Sequence, residues 1–178
     1  MLRPLFALLL LIAPLLAATP TWAADTQPRD LTWEQMIPPD APKPPPQKAV
    51  IHSLSGMADA LESAPAAKQQ SPSAPVVKAL DGQHIRLPGY IVPLEVTEEG
   101  RVTEFLLVPY FGACIHVPPP PSNQIVYVTS KVGVKLDELY QPYWIEGSMK
   151  VEASTSELAD AGYKMAAEKI YAYELPDS

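Results

Sequence analysis

Four consecutive prolines, Pro118–Pro121, constrain this chain more than any other feature of its sequence. A proline has no backbone N–H and a fixed φ, so neither a helix nor a central strand runs through such a stretch. The four lock roughly 12 Å of chain, at about 3.1 Å per residue, into a polyproline rod that loses little entropy on folding. The fold has to carry this rod as a rigid connection. A second proline-dense stretch runs from Pro38 to Gln47 and includes Pro42, Pro44, Pro45 and Pro46. It reads as a stiff spacer rather than core.

Between and beyond these rods the apolar pattern is that of strands. Val76–Leu80 and the run from Gln83 flank Asp81-Gly82, a two-residue hairpin signal. Ile85 and Leu87 alternate on one face, and Pro88-Gly89 interrupts the run before Tyr90–Glu95, as at a barrel corner. Glu98-Glu99-Gly100 turns the chain into Val102–Pro109, and Ile125–Ser130 follows the proline rod. Leu136–Tyr140 reads as one helical turn. Tyr143, Ile145, Met149 and Val151 then oppose Glu146, Ser148, Lys150 and Glu152, the cleanest half-buried strand in the chain. Ser154 and Glu157 stand at capping-box spacing, which predicts a helical turn to Ala161. Tyr163–Leu175 is expected to be the last strand, bulged near Ala167, with helix as the alternative. This order predicts a mainly β domain over 76–178, a small, curved, five-stranded OB-like barrel with short helices. A proline-rich arm over 24–75 precedes it. In that arm Trp33, Met36 and Ile37 form a cluster that docks on the domain, and Ile51, Leu54, Met57, Ala58 and Leu61 predict a short helix near 49–63.

Residues 1–23 have the anatomy of a secretory signal: Arg3, an apolar run from Leu5 to Ala18, then Thr21 and Ala23 as small residues before a cut at Ala24. The run of about 14 residues is short of the roughly 20 that span a bilayer, so cleavage is expected rather than anchoring. No second apolar run could cross a membrane, and no cysteine lies near the cut to take a lipid. The chain's formal charge is −7, and removing Arg3 makes the mature protein one unit more acidic. That excludes nucleic acid and anionic membrane surfaces as natural partners. The six aromatic residues Trp33, Tyr110, Tyr127, Tyr140, Tyr143 and Trp144 could line an OB-type binding face, although strand aromatics are more often core.

Chemistry concentrates in Gly112–Gln124. The only cysteine of the chain, Cys114, lies two residues from His116. In an extended backbone that spacing points both side chains to one side. Three readings stand. Cys114 can be a buried small hydrophobe beside a hydrogen-bonded histidine. The pair can be metal ligands, since thiolate and imidazole suit zinc or copper. A complete site would then need further donors from His84 (the candidate third ligand), Asp81, Glu95 or Asn123, or from a partner protein. The pair can also be a cysteine–histidine nucleophile, which makes a redox or hydrolytic enzyme the alternative function and a purely structural envelope protein the third. A Rieske centre needs two Cys-x-His pairs and is excluded within one chain.

The segments Leu87-Pro88-Gly89-Tyr90, Val92-Pro93-Leu94-Glu95 and Glu104–His116, with the proline run and Asn123-Gln124, resemble a bacterial family of small exported proteins of unassigned function. The resemblance covers about 80 to about 175, and Gly112–Pro121 is its most specific string. Many members look like lipoproteins, and this chain departs from them in lacking the lipidation cysteine. The resemblance implies a gene neighbourhood with a MacB-like ABC transporter and a periplasmic metal-binding protein. It therefore implies a periplasmic accessory protein in zinc or other transition-metal handling. It supplies no catalytic residues.

Overall fold

The computed structural model describes residues 27–41, 68–114 and 117–174. The signal over 1–23, the helix near 49–63 and His116 lie outside the described residues. The strands are β1 (Arg29–Asp30), β2 (His84–Val96), β3 (Arg101–Val108), β4 (Val126–Lys135), β5 (Tyr143–Lys150), β6 (Ser154–Thr155), β7 (Asp160–Ala161) and β8 (Tyr163–Ala172). Five of them close a barrel in the order β2-β3-β4-β8-β5, with β5 returning to β2. The β4–β8 pairing is parallel and the other four are antiparallel. The third and fifth barrel strands therefore lie side by side, and the expected mainly β, OB-like five-stranded barrel with only short helical turns is the fold.

Closure depends on β2 serving two partners. His84–Gly89 pair with β5, and from Tyr90 onward the strand pairs with β3. The switch falls at Pro88-Gly89, the corner expected from sequence. A Cβ on Gly89 would sit 2.8 Å from the Val108 carbonyl oxygen, so only glycine lets the two strands close there. The bulge near Ala167 is also present. Glu146 pairs with Lys169 and Gly147 with Ala167, which leaves Glu168 as the extra residue.

Inward alternation fills the barrel with Ile85, Leu87, Phe105, Leu107, Ile145 and Met149, all fully buried. Each such side chain contributes roughly 1.5–3 kcal/mol by leaving water. The N-terminal arm closes the barrel at one side: Leu31 and Met36 join this core, and β1 pairs in parallel with β2. Trp33 Nε1 donates to the Pro88 carbonyl at 2.7 Å, and Tyr163 Oη donates to the Met36 carbonyl at 2.8 Å. Residues 29–36 of the arm are a structural component of the domain.

Two local expectations are corrected. Val76–Leu80 is not a hairpin strand. The Val77 N–H donates to Tyr163 Oη at 2.8 Å, Lys78–Leu80 forms a 3-10 turn, and Asp81-Gly82 docks on the end of β5. Residues 154–161 are not a helical turn but the small β6–β7 hairpin. Ser156 closes its turn by accepting from the Ala159 N–H at 3.1 Å, instead of opening a helix. In the first place tertiary hydrogen bonds outweigh the local signal, and in the second one local signal, the serine turn, outweighs another. Among the described residues no helix is long and apolar enough to cross a membrane.

Candidate functional site

The connection from β3 to β4 folds back over the outer surface of the barrel. There Val92, Leu106, Val108, Ala113 and Ile125 form a second buried cluster, separate from the interior one. Tyr90, Leu94, Tyr110, Cys114 and Tyr127 pack around it, half-buried. Phe111 stands out at 63% exposure, its ring edge-on to Tyr90 with centroids 5.7 Å apart.

The loop tip is tight. The Val117 N–H donates to the Gly112 carbonyl at 3.2 Å, and Ala113 bridges Val117. Turning the chain back so quickly needs left-handed residues, and Gly112 takes φ 80°. Cys114 takes φ 65°, a conformation that costs a non-glycine residue of order 1–3 kcal/mol. The extended-backbone alternation that would aim Cys114 and His116 to one side therefore does not apply at Cys114.

The proline rod braces this tip from behind, and it is more buried than a free connector would be. Pro119–Pro121 are buried. Their carbonyls accept in turn from the Gln70 N–H at 3.2 Å, Gln69 Nε2 at 3.1 Å and the Gln124 N–H at 2.8 Å. Gln69 also spans to β7, donating to the Asp160 carbonyl and accepting its N–H. Ser122, Asn123 and Gln124 are buried and bind backbone groups of Ala74, Pro75 and Trp33 respectively. A rod without N–H donors can still be anchored through its carbonyls. Sequence reasoning missed this polar lock, whose only signal is Ser-Asn-Gln following the prolines.

Burial pushes the Cys114 thiol up to about 11, so it stands neutral at physiological pH. Burial, and then the nearby Cys114, raise Tyr110 to about 12. Among the described residues nothing lowers the thiol pKa, as an activated nucleophile requires.

The other candidate donors are scattered. Asn123 is committed to the Pro75 carbonyl, and Asp81 accepts the Val151 N–H at 2.9 Å. His84 Nε2 lies 3.3 Å from Glu168 and 3.8 Å from Glu146, at the β5–β8 side of β2. Six residue steps along the strand, about 20 Å of extended chain, separate it from Tyr90 beside the loop. Glu95 lies on the loop's own surface, close enough to act electrostatically on Tyr127. Among the described residues, which leave out His116, no group of three His, Cys, Asp or Glu gathers to hold a metal ion. A resident metal with a full ligand set does not fit those residues. Of the aromatic residues read as a binding face, Tyr143 is core, Tyr110 and Tyr127 flank the loop cluster, and Tyr140 is 71% exposed.

The family described as protein of unknown function (DUF3299) matches residues 33–172. A crystal structure of a DUF3299 family protein from Pseudomonas aeruginosa PAO1 is 60% identical, with a TM-score of 0.74. The alignment covers 85% of this chain and 99% of that one. Among functionally curated proteins none matches.

Proposed function

The chain belongs to the DUF3299 family of proteins of unknown function, and on that premise we propose that it is a periplasmic accessory binding module that handles a soft transition metal as cargo. The observation that carries this reading is the left-handed Cys114, held in a loop closed between Gly112 and Val117 and braced by buried prolines. Backbone strain of this kind persists where the surroundings over-determine it, and it clusters at ligand clamps. Cys114 and His116 would offer one sulfur and one nitrogen, a donor pair suited to zinc or copper. Two donors leave the remaining positions to a partner, which favours transfer over storage. Export through residues 1–23 and delivery to a MacB-like ABC transporter, beside a periplasmic metal-binding protein, complete the proposal.

Because the thiol of Cys114 is neutral, the metal displaces its proton, and affinity rises with pH. Calorimetric titration of the mature protein with Zn²⁺ and with Cu⁺ tests the assignment. Cys114→Ser and His116→Ala are each expected to weaken binding, and His84→Ala to leave it unchanged. Equal affinity in the wild type, Cys114→Ser and His116→Ala would sink the metal reading.

A further inference from the structure

The surface beside the loop carries a second feature that does not depend on metal. Cross-strand register places Val92, Leu106 and Tyr127 in one row, with Tyr90 and Val108 in the next. The loop covers Val92, Leu106 and Val108 but leaves Tyr90, Leu94 and Tyr127 half-buried, with Phe111 projecting beside them. One row further along, where the register is irregular on both sides, Glu95 is the partner of Glu104. Like charges opposite one another on neighbouring strands destabilise a sheet.

Among the described residues no ion pair involves Glu95 or Glu104. The nearby cations are committed elsewhere: Arg101 to the carbonyls of Val132 and Gly133, and Lys164 to Glu152. Tyr127 donates its hydroxyl to Glu104 and so fixes that carboxylate at the edge of the aromatic strip. An apolar ledge that ends in two carboxylates, neither paired with a cation among the described residues, suits a side chain with an alkyl stem and a cationic head.

We infer that this ledge docks a partner protein through an exposed arginine or lysine. Its stem lies along Tyr90, Leu94 and Tyr127, its head reaches Glu95 and Glu104, and a neighbouring apolar side chain packs on Phe111. The ledge is small, so the contact is transient rather than obligate. Nucleic acid and anionic lipid are repelled by the same two carboxylates.

The test uses three probes on the mature protein, followed by amide shifts in two-dimensional NMR: acetyl-leucyl-arginyl-leucinamide and its glutaminyl and glutamyl counterparts. The arginyl probe is expected to shift Tyr90, Leu94, Glu104 and Tyr127 and to bind about tenfold better than the glutamyl one. The double variant Glu95→Gln, Glu104→Gln should bring the three probes within about twofold of one another. Cys114→Ser should leave the preference intact, which separates this inference from the metal reading. Equal binding of the arginyl and glutamyl probes, shifts confined to another surface, or a dimer that already fills the ledge would each overturn it.

Discussion

Where β2 runs beside β5, its outward charges meet opposite charges. Arg86 holds Asp30 through two hydrogen bonds of 2.5 and 2.9 Å, reaches Tyr171 Oη at 3.2 Å, and lies 4.7 Å over the Trp144 ring. Buried Glu146 accepts from Lys169 Nζ at 2.8 Å, and His84 sits between Glu146 and Glu168. Where the same strand runs beside β3, Glu95 faces Glu104 and an aromatic ring stands in solvent. The first surface is consistent with selection for folding: it clamps the arm to the barrel. The second carries like charges that do nothing for folding, and the proposed docking surface rests on this contrast.

That contrast can be broken or sharpened by substitution. The largest effect is expected at Gly147, where a Cβ would overlap the Ala166 carbonyl of the adjoining strand. Gly147→Val should lower unfolding free energy by about 3 kcal/mol or more, read by urea denaturation, by forcing the β5–β8 seam apart. Met36→Ala should cost about 2–4 kcal/mol in the same assay, because it empties a fully buried site between arm and barrel. A loss below about 0.5 kcal/mol would mean that the arm is ornament and would erase the distinction between the two surfaces.

A third effect is electrostatic. The folded state holds the Cys114 thiol at about 11, above its ordinary value, so folding favours the protonated form. The corresponding stability is fully present below about pH 9 and is lost as pH rises from there through 11. Cys114→Ser should flatten that part of the alkaline profile. Disulfide-reagent labelling of the wild type should be slow at neutral pH and gain about tenfold per pH unit towards 11. Rapid labelling at pH 7 would instead favour a thiol enzyme. The smallest effect is the most discriminating: Glu95→Lys should raise stability, by about 0.2–1 kcal/mol, by pairing with Glu104 across the strands. It should also abolish the preference for the arginyl probe. A decrease in stability would show that the two carboxylates are not in conflict.

The barrel was legible because its determinants are local and repetitive. Ile85 and Leu87, then Tyr143, Ile145 and Met149, announce inward faces by alternation, and Pro88-Gly89 marks the corner where β2 changes partner. Val76–Leu80 and Ser154–Ala161 were misread because their outcome depends on Tyr163 Oη, on the end of β5 and on a serine turn. The first two groups lie far along the chain from Val76–Leu80, whereas the serine turn is local and competes with the capping-box reading of the same residues. At the candidate site, Cys114 and the rigid loop stood out in the sequence. The left-handed backbone at Cys114 did not, since it arises from the closure of the loop onto Val117. Glu95 and Glu104 were invisible as a pair for the same reason. Eight residues of sequence separate two carboxylates that the β2–β3 register sets face to face.

The tyrosine that anchors both early segments also sets an order of events in the life of the chain. Tyr163 receives Val77 and binds Met36, which precedes it by 127 residues. Until β8 emerges, both early segments lack their bond to Tyr163, and the parallel pairing to β4 is unmade. Such distant pairings make folding slow and leave little that is stable on its own. A chain truncated before Tyr163 should therefore lose its beginning as well as its end, with residues 27–41 more open to proteolysis although none of them is missing.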